Sequence, residues 1–269
     1  MSLRALLFDV DGTLADTEKL GHRPAYNKAF KELGLSWSWG PKLYRRLLRQ
    51  PGGRERLHHY LHRYEPELGE HAEPVRQDSD AWVNDVHKTK SRHFRSLLRR
   101  GRVPLRPGVA RLMHEALDQE LRLAIVTNAS RATLEPVLQH SLGKELRDQV
   151  EVIVCGEDVA HKKPAPDLYL RALDALQLPA SDCVALEDSA MGLRAATAAG
   201  LATVITVNDN TAHEDFSAAM MVVDALGEPE QAASVLQGDP LQRDCVDIAQ
   251  IRDSLQRWWA RPASELPTL

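Results

Sequence analysis

Two acids one residue apart, Asp9 and Asp11, close a short apolar run at residues 3–8, and Gly12-Thr13 turns the backbone directly afterwards. Carboxylates this close repel each other unless a cation sits between them, and an all-oxygen ligand set suits Mg2+. Three further polar groups stand in similar places. Thr127-Asn128 follows an apolar run, Lys162-Lys163-Pro164 precedes a helical pattern, and Glu187-Asp188-Ser189 follows a second apolar run. A hydroxyl beside a helix start can rest an anion, a lysine can balance charge, and a second acidic pair can share a cation. Taken singly, each has a plainer reading: a helix cap, a surface lysine, an Asp-Ser cap. Together, each at an expected strand end, the plain readings require four independent coincidences.

The elements that must position these groups follow from hydrophobic pattern. Residues 3–8 have the length of a strand buried on both faces, as in a parallel sheet. In such sheets ligands bind beyond the carboxyl ends of the strands, where the first strand delivers its two acids. Beyond residue 107 the pattern alternates between strand and helix. Strands are expected at 121–128, 150–155, 183–186, 202–207 and 221–223, and helices at 107–120, 131–142, 166–176 and 190–199, the last ending at Gly200. Helices between successive strands require a parallel sheet. Residues 18–106 differ in kind. Ala25, Phe30 and Leu33, then Leu43, Leu47 and Leu48, then Leu57, Tyr60 and Leu61 recur at helical spacing without a convincing strand. The expected organisation is an α/β core domain of residues 1–17 and 107–269, with an α-helical insert at 18–106 and residues 102–107 as the return linker. Residues 225–269 form an extension whose amphipathic helix at 247–259 has no evident chemistry.

Composition narrows the class. With 43% apolar residues among 269, a substantial core is available and disorder of the whole is excluded. The three cysteines, Cys155, Cys183 and Cys245, are scattered and suggest neither a disulfide frame nor a CxxC metal site, so a reducing, cytoplasmic setting is expected. The N-terminal apolar run is too short for a secretion signal, and no stretch approaches the roughly 18 apolar residues of a membrane span. Charge is uneven. Residues 41–64 hold seven Lys/Arg against the single Glu55, and residues 87–106 hold eight with no acid, in a chain of net charge −4. Such runs are often solvated helix faces, but Arg56 beside Gly52-Gly53 suits a phosphate, which a guanidinium grips with two bonds. No stacking aromatics interleave the basic runs, so nucleic acid is not the expected partner.

Asp9-x-Asp11-Gly12-Thr13-Leu14, Thr127, Lys163-Pro164 and Glu187-Asp188, in this order, resemble the four motifs of the haloacid-dehalogenase-like (HAD) hydrolases over nearly the whole chain. The resemblance implies a Rossmann-like parallel sheet core, the HAD fold, with a small α-helical cap domain inserted after the first strand. It implies Asp9 as a nucleophile forming an aspartyl phosphate and Asp11 as general acid and base. Mg2+ would be held by Asp9, the Asp11 backbone carbonyl and Asp188, with Glu187 beside it. Thr127 and Asn128 would meet phosphoryl oxygens, and Lys163 would balance charge. Asp11 speaks against dehalogenases, which need no acid for an alkoxide. An insert between the first two motifs is similar to the cap of the β-phosphoglucomutase and sugar-phosphate phosphatase branch.

Within that branch, Leu33-Gly-Leu-Ser-Trp37-Ser-Trp39, Tyr44, Gly52-Gly53-Arg54-Glu55-Arg56, His87-x-x-Lys90-x-x-x-Phe94 and Leu105-Arg-Pro-Gly108 resemble the CbbY proteins. Those are carried with Calvin-cycle genes and hydrolyse xylulose-1,5-bisphosphate, an inhibitor of rubisco. The resemblance implies substrate contacts from Glu18, Gly53, Arg56 and Lys90, with Arg54 and His87 as lesser candidates, and a monomer acting on a small sugar phosphate away from membranes. Two departures stand out. Gly21 occupies the position where the family places a histidine four residues after a threonine, and His22 comes one later; this weakens the match to the mutases. Pro51 replaces a small polar residue before the double glycine. The other readings are a phosphomutase, in which a sugar hydroxyl replaces water, and a non-catalytic regulator that binds a partner through its basic cap.

Overall fold

Leu6, Leu7 and Phe8 are fully buried, a state that a strand reaches only when both faces of its sheet are covered. The computed structural model describes residues 2–50 and 52–262. From β1 (Ala5–Phe8) the chain enters a π-helical turn (Thr17–His22) and five helices: α1 (Arg23–Glu32), α2 (Pro41–Leu47), α3 (Gly53–Tyr64), α4 (Ala72–Gln77) and α5 (Ser79–Arg99). Alternation follows, with α6 (Val109–Asp118), β2 (Arg122–Val126), α7 (Arg131–Val137), α8 (Lys144–Gln149), β3 (Val150–Val154), α9 (Asp167–Leu176), β4 (Cys183–Glu187), α10 (Ala190–Ala198) and β5 (Ala202–Thr206). The last elements are β6 (Met221–Val223), β7 (Val235–Gln237) and α11 (Ile248–Trp259). Two compact units result: Thr17–Val103 form one, and the rest of the described chain forms the other.

The sheet unit carries seven strands in the order β3-β2-β1-β4-β5-β6-β7. All neighbours are parallel except β6 and β7. Phe8 pairs with Ile125 on one side and with Leu186 on the other, so Asp9, Val126 and Glu187 emerge side by side at the carboxyl edge. One core packs α9 and α10 on the sheet through Leu168, Tyr169, Leu173, Leu176, Ala195 and Ala196. The segments that flank the insert in sequence are tied to each other within this unit. Ala15 bridges Leu105, and the Arg106 N–H donates to Leu14 O at 2.8 Å.

Several sequence expectations needed correction. The chain reaches β6 from β5 through turns, without a helix, and β7 is an antiparallel edge strand that no alternating pattern announced. Helix α8 was not foreseen. The expected helix over 131–142 is α-helical to Val137 and continues as a π-helical turn, Leu138–Leu142. Leu105 and Arg106 belong to the sheet unit, which therefore resumes at Pro104. The terminal helix has a structural task. Asp247 caps α11 by accepting from Gln250 N at 2.7 Å, Ile248 N donates to Glu115 on α6, and Arg252 donates to Gln119 at 2.6 Å.

The helical unit is held by aromatic packing. Tyr26, Phe30, Trp37, Trp39, Tyr44, Tyr60 and Trp82 are buried together, with ring pairs such as Phe30–Trp39 at 5.0 Å and Trp39–Tyr60 at 5.1 Å. Each such pair is worth roughly 0.5–1.5 kcal/mol beyond area burial. Asn27 locks the 33–40 segment by exchanging two bonds with the Trp39 backbone, at 2.8 and 3.2 Å. No strand occurs among the described residues of this unit. Pro51 lies outside the described residues.

Candidate active site

The turn after β1 is built on one carbonyl. Val10 O accepts from the backbone N–H groups of Thr13, Leu14 and Ala15 at 3.3, 3.0 and 3.3 Å. Gly12 sits at φ +92°, and a Cβ there would lie 2.1 Å from Asp188 Oδ2 and 2.8 Å from Asn208 Nδ2. Only glycine permits both the backbone and the approach. Asp9 is buried and Asp11 half-buried.

Lys163 is 4% exposed, and its ammonium has three donors, all engaged. It donates to Asp9 Oδ1 at 2.7 Å, Glu187 Oε1 at 2.6 Å and Val126 O at 2.8 Å, so it joins three adjacent strand ends. Lys162, its neighbour, is exposed. The Lys163–Pro164 peptide bond is cis. Asn128 holds the Lys163 backbone from both sides: Oδ1 accepts from Lys163 N at 2.9 Å and Nδ2 donates to Lys163 O at 3.3 Å. Its side chain therefore positions the lysine loop. Thr127 is buried and its Oγ1 accepts from Ala129 N at 3.1 Å, which leaves its hydroxyl proton to donate to another group.

The electrostatics are those of too many carboxylates in a dry place. Burial raises the Asp9 pKa against the pull of Lys163, with the Asp11 charge adding to the rise. Burial likewise pushes Glu187 up to about 7, opposed by Lys163 and reinforced by Asp9. Asp188 is held well above the usual carboxylate range by burial and by the charges of Asp9 and Glu187. Burial alone would lower Lys163, but Asp9 and Glu187 outweigh it, so the ammonium stays charged. The Lys163 ammonium, with the Arg106 charge acting on Asp188, faces three acids.

Carboxylate oxygens of Asp9, Glu187 and Asp188 lie within 4.8 Å of one another, the one such group of acids, His or Cys among the described residues. These are hard oxygen donors in a site short of positive charge, which fits Mg2+. The Asp11 carboxylate is not in the cluster. Glu187 is already taken up: Oε1 accepts from Lys163 and from the Tyr169 hydroxyl at 2.6 Å, and Oε2 from Asp188 N at 3.3 Å. A Cβ at position 192 would lie 1.9 Å from that Oε2, so Gly192 makes room for it. Asp9 and Asp188 retain the acceptor capacity a cation needs.

Three residues of this constellation escaped the sequence reading. Tyr169 on α9 donates to Glu187 and lies 4.9 Å below the Lys163 ammonium. Its signal was a tyrosine on the apolar face of a helix, whose hydroxyl must find a partner. Asn208, two residues past β5, donates to Asp188 Oδ2 at 2.7 Å. A polar residue at a strand end was its signal, the same one that marked Thr127. Arg106 is buried and reaches several strand ends at once.

In the helical unit, fifteen Lys/Arg lie in or border the two basic stretches, and all are exposed except Arg56, Lys90 and Arg106. Most of that charge is a solvated face. Arg56 NH1 donates to the Tyr44 hydroxyl at 3.1 Å and stands 3.9 Å from Glu18, and Nε donates to Leu47 O at 3.3 Å. The Tyr44 hydroxyl in turn donates to Glu18 in a short bond. Gly53 opens α3, its carbonyl accepts from the Tyr26 hydroxyl at 2.9 Å, and a Cβ there would lie 2.6 Å from His87 Nε2. Arg54 is exposed and contacts Asn84 at 3.4 Å.

Lys90 donates to His22 Nδ1 at 2.8 Å and lies over the rings of Tyr26 and Phe94 at 5.0 and 5.3 Å. Burial and the Lys90 charge hold the His22 pKa well down, so the imidazole is neutral and Nδ1 accepts. The displaced histidine is thereby explained. A π turn closes i→i+5 and carries one extra residue, so His22 faces where the fourth residue after Thr17 would face in an α-helix. A Cβ at Gly21 would lie 2.5 Å from Phe94, and His22 stacks on that ring at 4.0 Å. The shift in sequence is undone by the turn, and the argument it offered against the mutases falls away.

Residues 3–200 match the family model of the haloacid dehalogenase-like hydrolases. The chain is 46% identical over 229 residues to the plasmid-borne protein CbbY of Cupriavidus necator, covering 85% of this chain and 88% of that one. It is 43% identical over 241 residues to CbbY of Rhodobacter capsulatus, covering 89% and 99%. A solved structure of a CbbY mutant from Rhodobacter sphaeroides, in complex with xylulose-1,5-bisphosphate, superposes with a TM-score of 0.72 at 39% identity, covering 84% of this chain and 96% of that one. The buried Asp9–Lys163–Glu187–Asp188 constellation at the carboxyl edge of a parallel sheet thus has its relatives: the chain belongs to the haloacid dehalogenase-like hydrolases, among the CbbY proteins.

Proposed function

We propose that this protein is a Mg2+-dependent phosphatase of phosphorylated sugars and that its substrate is xylulose-1,5-bisphosphate. The observation that carries the reading is the Asp9 carboxylate, buried, aimed by Lys163 and flanked by Asp188. The substrate follows from the CbbY structure that holds this bisphosphate, with a 30% identical phosphorylated-carbohydrate phosphatase of Thermotoga maritima as further support for the class.

Asp9 attacks phosphorus while Asp11 gives a proton to the departing sugar oxygen, which leaves an aspartyl phosphate and a neutral alcohol. Asp11 then takes a proton from water as it attacks the same phosphorus, releasing inorganic phosphate and regenerating Asp9. Asp9, Asp188 and the Asp11 carbonyl would hold Mg2+, which supplies positive charge against the phosphoryl oxygens when bound. The Thr127 hydroxyl donates to one of those oxygens, and Lys163 keeps Asp9 ionised and oriented. Arg56, with Lys90 assisting, would meet the second phosphoryl group, and Glu18 and Gly53 would be further substrate contacts. With that substrate the enzyme acts as a monomer in the cytoplasm, beside the Calvin cycle; its three free cysteines suit a reducing compartment.

The test is inorganic phosphate release from a panel of sugar mono- and bisphosphates, with and without Mg2+. Release should be fastest with the pentulose bisphosphate and absent in chelator. Isomerised sugar phosphate without phosphate release would make the protein a mutase, and no turnover of any phosphate ester would overturn the reading.

A further inference from the structure

Arg106 follows the second linker of the insert and is 9% exposed. A buried guanidinium is tolerated when its donors are satisfied, and here they are satisfied by three separate chain segments of the sheet unit. NH1 donates to Gly12 O in a short bond, to Thr206 O at 2.8 Å and to Thr206 Oγ1 at 2.9 Å. NH2 donates to Val207 O at 2.6 Å and to Asp224 O at 2.9 Å. Nε stands 3.7 Å from Asp16 Oδ1. The first segment is the turn that carries Asp11. The second is Thr206–Val207 at the end of β5, and the residue after it, Asn208, donates to Asp188. The third is the residue after β6.

Gly12 has no side chain to hold it, and its φ of +92° is one of several that glycine can adopt. Its carbonyl is turned toward Arg106. Because Gly12 directly follows Asp11, rotation of this backbone would swing the Asp11 carboxylate away from the sugar oxygen. We propose that Arg106 is a positioning residue for this acid: by pinning Gly12 O to the ends of β5 and β6, it fixes the turn on which Asp11 depends for proton transfer. The inference rests on the phosphatase reading, in which Asp11 protonates the leaving oxygen.

The leaving group supplies a readout that loss of stability would not move. A sugar alkoxide needs a proton as it departs, whereas an aryl oxide such as p-nitrophenolate leaves well without one. The experiment measures kcat/KM, which reports the first transfer and not the later hydrolysis of the aspartyl phosphate that both esters share, for a sugar phosphate and for p-nitrophenyl phosphate in wild type, Arg106→Gln, Arg106→Lys and Asp11→Asn. Circular dichroism checks that each is folded. Asp11→Asn sets the full effect: a large loss of kcat/KM on the sugar phosphate and a small one on the aryl ester, while its kcat falls on both because water activation is impaired as well. Both Arg106 variants should show the same selectivity in weaker form, with kcat/KM for the sugar phosphate falling about 10- to 100-fold, as when one positioned acid is impaired, and kcat/KM for the aryl ester falling less than about fivefold. The Lys variant decides the matter if the Gln variant does not fold. One ammonium on a shorter reach cannot bond Gly12 and Asp224 together, so wild-type selectivity in Arg106→Lys would overturn the proposal. Equal losses on both esters would do the same. If wild type turns over neither ester, the phosphatase reading fails; if Asp11→Asn shows the selectivity and the Arg106 variants do not, only the positioning role fails.

Discussion

The two units hold their buried cations by different means. Lys163 is fixed by acceptors on three strand ends, all brought together by the register of β1 with β2 and β4. Lys90 donates to His22 and lies over two aromatic rings. A strand end cannot move without breaking a ladder of hydrogen bonds, but a helix can shift by repacking side chains. The sheet unit is thus suited to chemistry that must not vary, and the helical unit to contacts that can adjust.

The sharpest way to break this contrast is at Asp9. Asp9→Asn should leave the fold intact and reduce kcat by at least about a thousandfold on every phosphate ester, because the nucleophile serves all of them. Turnover within tenfold of wild type would remove the aspartyl-phosphate route and with it the special status of the sheet edge.

Metal is the next test. Chelation should stop turnover and Mg2+ restore it, and Asp188→Ala should raise the Mg2+ needed for half-maximal rate steeply. Asn208→Ala, which frees Asp188 from its 2.7 Å partner and removes the acceptor of Asn210 N, should raise it about tenfold or somewhat more. Full activity in chelator would mean that the three acids are held apart by protons alone.

In the helical unit the expected effects are smaller and depend on the substrate. Arg56→Ala removes a charge-assisted contact of roughly 1.5–3 kcal/mol, so about tenfold to a hundredfold in kcat/KM for a pentulose bisphosphate. An aryl monophosphate, with no second phosphoryl group, should change far less. Since Arg56 also braces Tyr44 and Leu47, the melting temperature should be followed alongside. Equal losses on both substrates would make Arg56 a packing residue.

The smallest effect is on stability and pH. Burial lowers the His87 pKa to about 4, with Lys90, Arg54 and Arg56 adding to the fall and Glu55 opposing it. The folded pKa lies below the unfolded one near 6.5, so between those values the unfolded chain binds more protons and stability falls as pH drops. His87→Gln should flatten the pH dependence of unfolding free energy across that window by about 1–2 kcal/mol, discounted for partial solvent exposure. Urea titrations at pH 7 and pH 4.5 measure it, and an unchanged slope would place the dependence elsewhere, with His22 the next candidate.

Much of the site was legible because its signals are local. An apolar run ending in Asp9-x-Asp11, a lysine before a proline and an acidic pair after a second apolar run each lie within a few residues. Strand ends are also where a parallel sheet collects its ligands. The strand–helix alternation fails beyond β5, where no helix returns the chain and β7 turns antiparallel. A three-residue edge strand carries too little periodicity to be read.

What the sequence by itself determined was which residue types stand at which strand ends, and hence the class of chemistry. What only the tertiary structure decided was which of them touch. Tyr169 and Glu187 are 18 residues apart, Asp188 and Asn208 20, Gly12 and Arg106 94; no local pattern encodes such distances, because strand order sets them. The offset of His22 is the clearest case. Read along the chain, it is one residue out of place; in three dimensions the Phe94 ring fills the space beside Gly21, the helix opens into a π turn, and the imidazole meets Lys90. Packing between segments chose the hydrogen-bond register there: Phe94 leaves no room for a Cβ at position 21 and takes the His22 ring against its own.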